Sequence, residues 1–425
     1  MKSKVISWLL NVDDDKIIRR TTFWNLVTSV MNASYSAVLM FLIGHLVGMD
    51  DVGVFSIASA YAYQCLVVGA FGVRNIHASD VTNEFSFSDY LYLRMVSGLA
   101  MYLLLLYYTF FQGYDLNKIA IILLFGLFKS IEAIEDLFHG EYHRYNRLDI
   151  GSILQASRFI ITLLSFAIIL ILTRDLVVSL SVSTLLSFLV CIMQNKMMIP
   201  HFVQEHLTIN KENLRSLFLV CLPVCLSNYI STYIVNLPKY AIDEIFGDEM
   251  QSVYGILVLP VVTINMLSVV IYRPMINGLS RDYYDCQYPV FFKKIAKQII
   301  VIVILTLLVI IGGYLIGLKL LGMIYGISLE IYMISFIIML IGGGLNTVAA
   351  FLNVILTVQR AQNKLLIGYF VTALFGILAS HQLILQFGLI GTALLYAGLS
   401  LCMCLLFMLF IYVSYKQKVR ADQDE

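Results

Sequence analysis

Charge is scarce in this chain and proline scarcer: 13% of its 425 residues are charged and 6 are proline. A soluble domain carries roughly 25% charged residues, so the shortage excludes a water-solvated globule. With 60% of residues hydrophobic, there is too little polar surface to cover the rest. The 7 cysteines form no CxxC pair and sit mostly inside apolar runs, which excludes a redox motif and a disulfide framework and makes them small core residues. Long polar stretches are missing too. The longest internal loop, around HFVQEHLTINKENLR, is too short for a soluble domain. No Walker loop, Ser-His-Asp arrangement or DxD cluster occurs in a plausible context, and HGEYH (His139 to His143) has its glutamate in the wrong place for a zinc-binding HExxH. Neither a catalytic site, a metal, a cofactor nor a nucleic acid is called for.

What is there is apolar sequence in runs of about 20 residues, enough to cross a hydrocarbon core as helix, and continuous rather than alternating as in a β-barrel. Spans fall near 21–46, 52–73, 89–111, 118–138, 150–172, 176–194, 214–237, 252–273, 295–317, 329–355, 365–386 and 389–414. The expected fold is therefore an all-α polytopic membrane protein of about twelve transmembrane helices. Its parts are a lead-in (1–20), an N-lobe (21–208), a C-lobe (209–414) and a tail (415–425). The lead-in MKSKVISWLLNVDDDKIIRR has an apolar patch broken by Asp13, Asp14 and Asp15 and no cleavage site, so it reads as a cytosolic or interfacial segment. The loops on the side of the termini hold most of the lysine and arginine. The opposite side has only Lys118, Arg174, Lys239 and Lys319, so the positive-inside bias puts both termini in the cytosol of a multi-pass cell (inner) membrane protein.

An internal duplication runs through these spans. Gly247, Val253, Tyr254 and Ile256 match Gly48, Val54, Phe55 and Ile57 at an offset of 199, which carries Arg273 onto Arg74; NKLLIG from Asn363 matches NRLDIG from Asn146 at an offset of 217. Two halves of six spans each run in the same direction, which predicts two six-helix lobes related by a pseudo-twofold along the membrane normal and enclosing a central cavity. Pro223 and Pro260 fall inside the seventh and eighth spans and are expected to kink them.

Several polar residues lie where they should be expensive. Lys129, Glu132, Asp136, His139 and His143 share one face of the fourth span, with Glu135 beside it. A charge at mid-bilayer costs several kcal/mol unless paired or wet, so Lys129, Glu132, Glu135 and Asp136 are candidate cavity residues. Arg158, in the fifth span, is within reach of Glu132 or Glu135, as a structural ion pair or a substrate contact. Arg74 and Arg273 end their spans as snorkelling anchors or as paired gate contacts. The stretch NLPKYAIDEIFGDEMQSVYGI (Asn236 to Ile256) reads as the outer turn after the seventh span, with Lys239 and Asp243 forming an i, i+4 pair and Asn236 at its start.

That turn, followed by YRP at Tyr272 to Pro274, resembles the polysaccharide repeat-unit flippases (Wzx-type export proteins) of the multidrug/oligosaccharidyl-lipid/polysaccharide (MOP) exporter superfamily. FHGEYHRYNRLDIGSILQASR is similar to the same family's junction of the fourth and fifth helices. The resemblance implies a two-lobed, MATE-like flippase that moves an undecaprenyl-pyrophosphate-linked oligosaccharide to the outer leaflet by alternating access, beside a polysaccharide polymerase and assembly proteins. It marks Asn236, Pro238, Lys239, Tyr240, Asp243 and Arg273 as a signature, and Arg147, Asp149 and Arg158 more weakly. The nearest rival is a small-molecule or multidrug exporter of the same superfamily, which typically needs an acid deep in its first helix; TTFWNLVTSVMNASYSAVLMFLIG has none. A major-facilitator transporter lacks support because its loop motif is absent from RNIHASDVTNEFSFSD. A lipid II flippase would have about fourteen helices, and a membrane polymerase would need a large outer loop.

Overall fold

In the computed structural model the described residues are 2–80, 84–203 and 210–424; residues 204–209 of the HFVQEHLTINKENLR loop lie outside them. The described residues contain no strand. Nine of the described helices are long and apolar enough to cross a membrane, and some of these hold more than one span. Large apolar side chains lie exposed along them, among them Leu99, Leu103, Ile168, Leu172, Leu315 and Leu378. Bare apolar flanks of this extent suit lipid, not water. The chain is a multi-pass membrane protein.

In chain order the helices are α1 (Lys2–Leu10), α2 (Asp14–Leu46), α3 (Met49–Ala70), α4 (Val73–Ser79), α5 (Phe87–Phe111), α6 (Leu116–Arg144), α7 (Leu148–Thr173) and α8 (Leu176–Met198). There follow α9 (Lys211–Leu257), α10 (Leu259–Tyr272), α11 (Ile276–Tyr284), α12 (Tyr288–Gly312), α13 (Leu318–Tyr325), α14 (Met333–Val358) and α15 (Gln362–Asp424). Side chains set several starts. Ser86 and Asp89 form a reciprocal capping box on α5, and the carboxylates of Asp115 and Asp175 accept the first free N–H groups of α6 and α8.

The chain divides into two compact units, Met1–Tyr229 and Ile230–Glu425. In the first, α3 packs on α5 and α6, and α7 on α2 and α8. Small residues allow the close approach: a Cβ at Gly126 would meet Leu105 Cδ2 at 2.0 Å. In the second unit α14 packs against α10, α12 and α15. Its glycine run serves three neighbours, since a Cβ at Gly342, Gly343 or Gly344 would strike Tyr396, Val261 or Thr306 respectively, at 2.7 Å or less.

Two expectations are corrected here. The seventh span does not end near 237. Helix α9 runs through Pro238, Lys239 and Asp243 and breaks only at Gly247 (φ 69°, ψ −161°), so Asn236, Lys239 and Asp243 are helical residues, not turn residues. Pro238 removes a single backbone donor, which a helix held by its neighbours can lose, whereas a φ/ψ of that kind is essentially open to glycine alone. Lys239 therefore lies about 12 Å along the helix from the turn, and it makes no ion pair with Asp243 or any other described residue.

The second correction concerns the register of the duplication. The turn after α6 and the turn after α14 have the same backbone bonds: Asn146 N–H to His143 O and Arg147 N–H to Tyr142 O in one, Arg360 N–H to Thr357 O and Ala361 N–H to Leu356 O in the other. Asn146 and Arg360 are both left-handed there (φ 55° and 56°). This matching has an offset of 214, and it also places the break at Gly388 on the left-handed Arg174. The motif match at 217 is thus one near-turn out of register, an error that apolar text with helical periodicity invites. The offset of 199 holds at the first hinge, where Gly48 and Gly247 both interrupt the helix.

Candidate functional site

The polar side chains of the N-terminal unit are gathered on α6 and what touches it. About half-way along α6, Lys129 is wholly buried, and its Nζ donates to Glu132 Oε1 and Oε2 at 2.8 and 2.9 Å. The ammonium also lies 4.3 Å from the ring centre of Tyr63, with Phe125 and Phe128 behind it. One turn further on, Glu135 receives Arg158 Nε at 3.0 Å and Nη2 at 2.7 Å, and Arg158 Nη1 donates to Ser187 on α8 at 2.8 Å. This bidentate pair has no solvent-exposed surface to speak of, and Phe159 lies against the guanidinium at 4.8 Å.

Asp136 belongs to a different contact. Arg74, from α4, and Arg94, from α5, each reach one of its oxygens at 3.1 Å. Arg94 is buried and also donates to Gly69 O at 2.7 Å, while its Nε has no hydrogen-bond partner among the described residues. Arg74 is 38% exposed. Two guanidiniums on one carboxylate leave an excess positive charge, and the accessible half of it is Arg74.

At the end of α6, His77 Nε2 meets Glu141 Oε2 at 2.6 Å and its ring stacks on Tyr90 at 4.0 Å. Beside them Asp80 takes N–H groups from Glu84 and Phe85 and the Tyr90 hydroxyl. Burial alone raises its carboxyl, but these bonds and the Arg144 charge outweigh burial and hold it below the usual carboxylate range. Asp149, also buried, lies between Arg147 at 3.0 Å and Arg20 at 3.3 Å, and Arg147 donates to the carbonyls of Leu9 and Leu10, fastening α1 to the turn after α6. In the C-terminal unit Arg273 is exposed after α10, without an ion pair among the described residues.

The structure thus brings together Lys129 with Glu132, Glu135 with Arg158, and Asp136 with Arg74. It does not bring Arg158 to Glu132. Arg94, Tyr63, Ser187 and His77 belong to these contacts and were not expected. Arg94 alone left a sequence signal, an arginine seven residues inside the apolar run that starts at Phe87. No group of three or more metal-ligating side chains occurs among the described residues.

No family model and no curated protein matches the sequence. Solved structures do. A multidrug resistance MATE family transporter of the MOP superfamily in an inward-facing conformation aligns with a TM-score of 0.67 at 12% identity, covering 100% of this chain and 98% of that one. The fold is MATE-like. A MOP superfamily transporter from Pyrococcus furiosus, described as having a binding pocket of reverse polarity, shares this MATE-like fold with a TM-score of 0.63 at 12% identity over 98% of each chain. A Vibrio cholerae MATE transporter gives 0.61 at 14% identity over 96% and 97%. Among the described residues, the buried charges of the N-terminal unit lie on α6 and its neighbours, Asp243 on α9 is a buried acid of the C-terminal unit, and α2 has no acid between Lys16 and Leu46.

Proposed function

We propose that this protein is a membrane transporter that flips an amphiphile with an anionic head, a lipid-linked oligosaccharide, between leaflets by alternating access. The observation that carries the reading is the uneven charge at Asp136, where Arg74 and Arg94 share one carboxylate and Arg74 remains accessible. A pyrophosphate would complete that balance, as guanidinium forks bind phosphate oxygens in pairs. Arg273, exposed and unpaired, is the second headgroup contact in this reading. Arg158 serves instead to hold Glu135, because its donors are already committed. The acid-free α2 and the signature from Asn236 to Asp243 support a flippase over a drug exporter. The MATE names of the solved neighbours favour the exporter.

One reconstitution separates the two. Proteoliposomes holding the purified protein are given a fluorescent polyprenyl-pyrophosphate oligosaccharide in one assay and a cationic dye in the other. Flipping is read as loss of lectin access to the outer sugar. Dye export without sugar movement would sink the flippase reading and leave the exporter.

A further inference from the structure

The turn after α14 borders an open cavity of about 440 Å³ in the C-terminal unit. Arg360, Lys364 and Lys418 line it, and no carboxylate is among its described lining residues. Their partners are neutral or aromatic. Lys364 Nζ donates to Ser414 Oγ at 2.8 Å and Gln417 Oε1 at 2.7 Å. Lys418 lies 4.6 and 4.7 Å over the rings of Tyr283 and Tyr284, and Arg360 lies 5.7 Å over Tyr284. The nearby Asp282 is engaged by Lys294 at 2.5 Å.

The duplicated turn supplies the control. After α6, with the same backbone bonds, Asp149 lies between two arginines and offsets one of their two charges. At the turn-matched position after α14 the residue is Asn363, which lines the cavity and is exposed. One copy of the turn carries an acid, and the other has Asn363 in its place and gathers three cations. Cations converging on one concave site without an acid repel one another unless an anion joins them.

We propose that the cavity at the α14–α15 turn binds a phosphate-bearing anion, the phosphodiester of an anionic lipid or a soluble phosphate. Gln362 and Asn363, at the start of α15, line the same cavity, and a helix N-terminus favours an anion. The inference is independent of what the protein transports.

The test uses the full chain purified in detergent. Native mass spectrometry measures retention of dioleoyl phosphatidylglycerol against phosphatidylcholine, and thermal unfolding is followed in inorganic phosphate against chloride of equal ionic strength. The variants are Lys364→Gln, which removes a cation, and Asn363→Asp, a near-isosteric change that restores the missing acid at an exposed position and so keeps the test open if Lys364→Gln folds poorly. Selective phosphatidylglycerol retention that falls about tenfold in both variants assigns a lipid phosphate. A phosphate-specific rise in unfolding temperature, absent from both variants and without lipid selectivity, assigns a soluble one. Wild type responding to neither probe, or variants responding as wild type does, overturns the site.

Discussion

Arg158 and Glu135 are enclosed together, so each is expensive without the other. Glu135→Ala would leave a buried guanidinium with only Ser187, at a cost of about 3–5 kcal/mol, while replacing both by apolar residues of similar size is expected to recover most of that loss. Unfolding temperatures of the two single variants and the double variant in detergent would check this; additive losses would mean the residues act separately. Asp80 makes a pH prediction. Its carboxyl is held below the ordinary value, so its contribution to stability is complete above that value and disappears as the pH falls through the lower, folded-state value. The stability gap between wild type and Asp80→Asn should therefore be constant at neutral pH and close on the acid side of the usual carboxylate range. A gap that closes between pH 6 and 8 would assign the effect to another group.

At the scale of elements, Gly247 carries the turn that the sequence places ten residues too early. Its backbone angles are costly for any residue with a Cβ, so Gly247→Ala should lose about 1–3 kcal/mol, whereas Pro238→Ala, inside the helix, should restore a donor and lose nothing. The reverse ranking in thermal unfolding would put the turn back at Pro238. What was legible from sequence follows the strength of the physical signal. Apolar runs gave the spans because lipid leaves the chain no other way to satisfy its backbone. Gly48 and Gly247 matched across the halves because both helices must break there. The charged stretch misled because a lysine in a helix and a lysine in a turn look alike in one dimension. The pairing of Glu135 with Arg158 was within reach as one of two alternatives, but Arg94 with Asp136 was not, since α4 and α5 meet α6 through contacts that no local spacing encodes. The lead-in is a further case: α1 is fastened by Arg147 and by Arg20, which stacks on Trp8 at 4.3 Å. Arg147→Ala should leave the spans intact yet raise hydrogen exchange across Lys2–Leu10, and unchanged protection there would show that α1 is held by its apolar face alone.

For the whole molecule the outstanding step is orientation, and moving the turn to Gly247 sharpens it. Lys239 leaves the outer boundary and becomes a helix residue, so the side to which the sequence assigns the turns after α2, after α5 and at Gly247 is poorer still in basic residues. Lys118 remains, buried against the ring of Tyr114 at 4.2 Å, with Arg174 and Lys319 beyond it. The opposite ends hold Arg144, Arg147, Arg281, Lys293, Arg360 and Lys364. A bias of this size sets orientation during insertion because basic flanks are retained on the cytosolic side. Single cysteines placed at Gly113 and Asp248 are therefore expected to react with a membrane-impermeant maleimide in intact cells, and cysteines at Tyr145 and Gln362 only after permeabilisation. The native exposed Cys286, in the turn between α11 and α12, should follow the second pair. Labelling of Cys286 in intact cells, with Gly113 protected, would invert the protein in the membrane. It would also put the cation-lined cavity at the α14–α15 turn on the outside, where a cytosolic-leaflet lipid could not be its ligand.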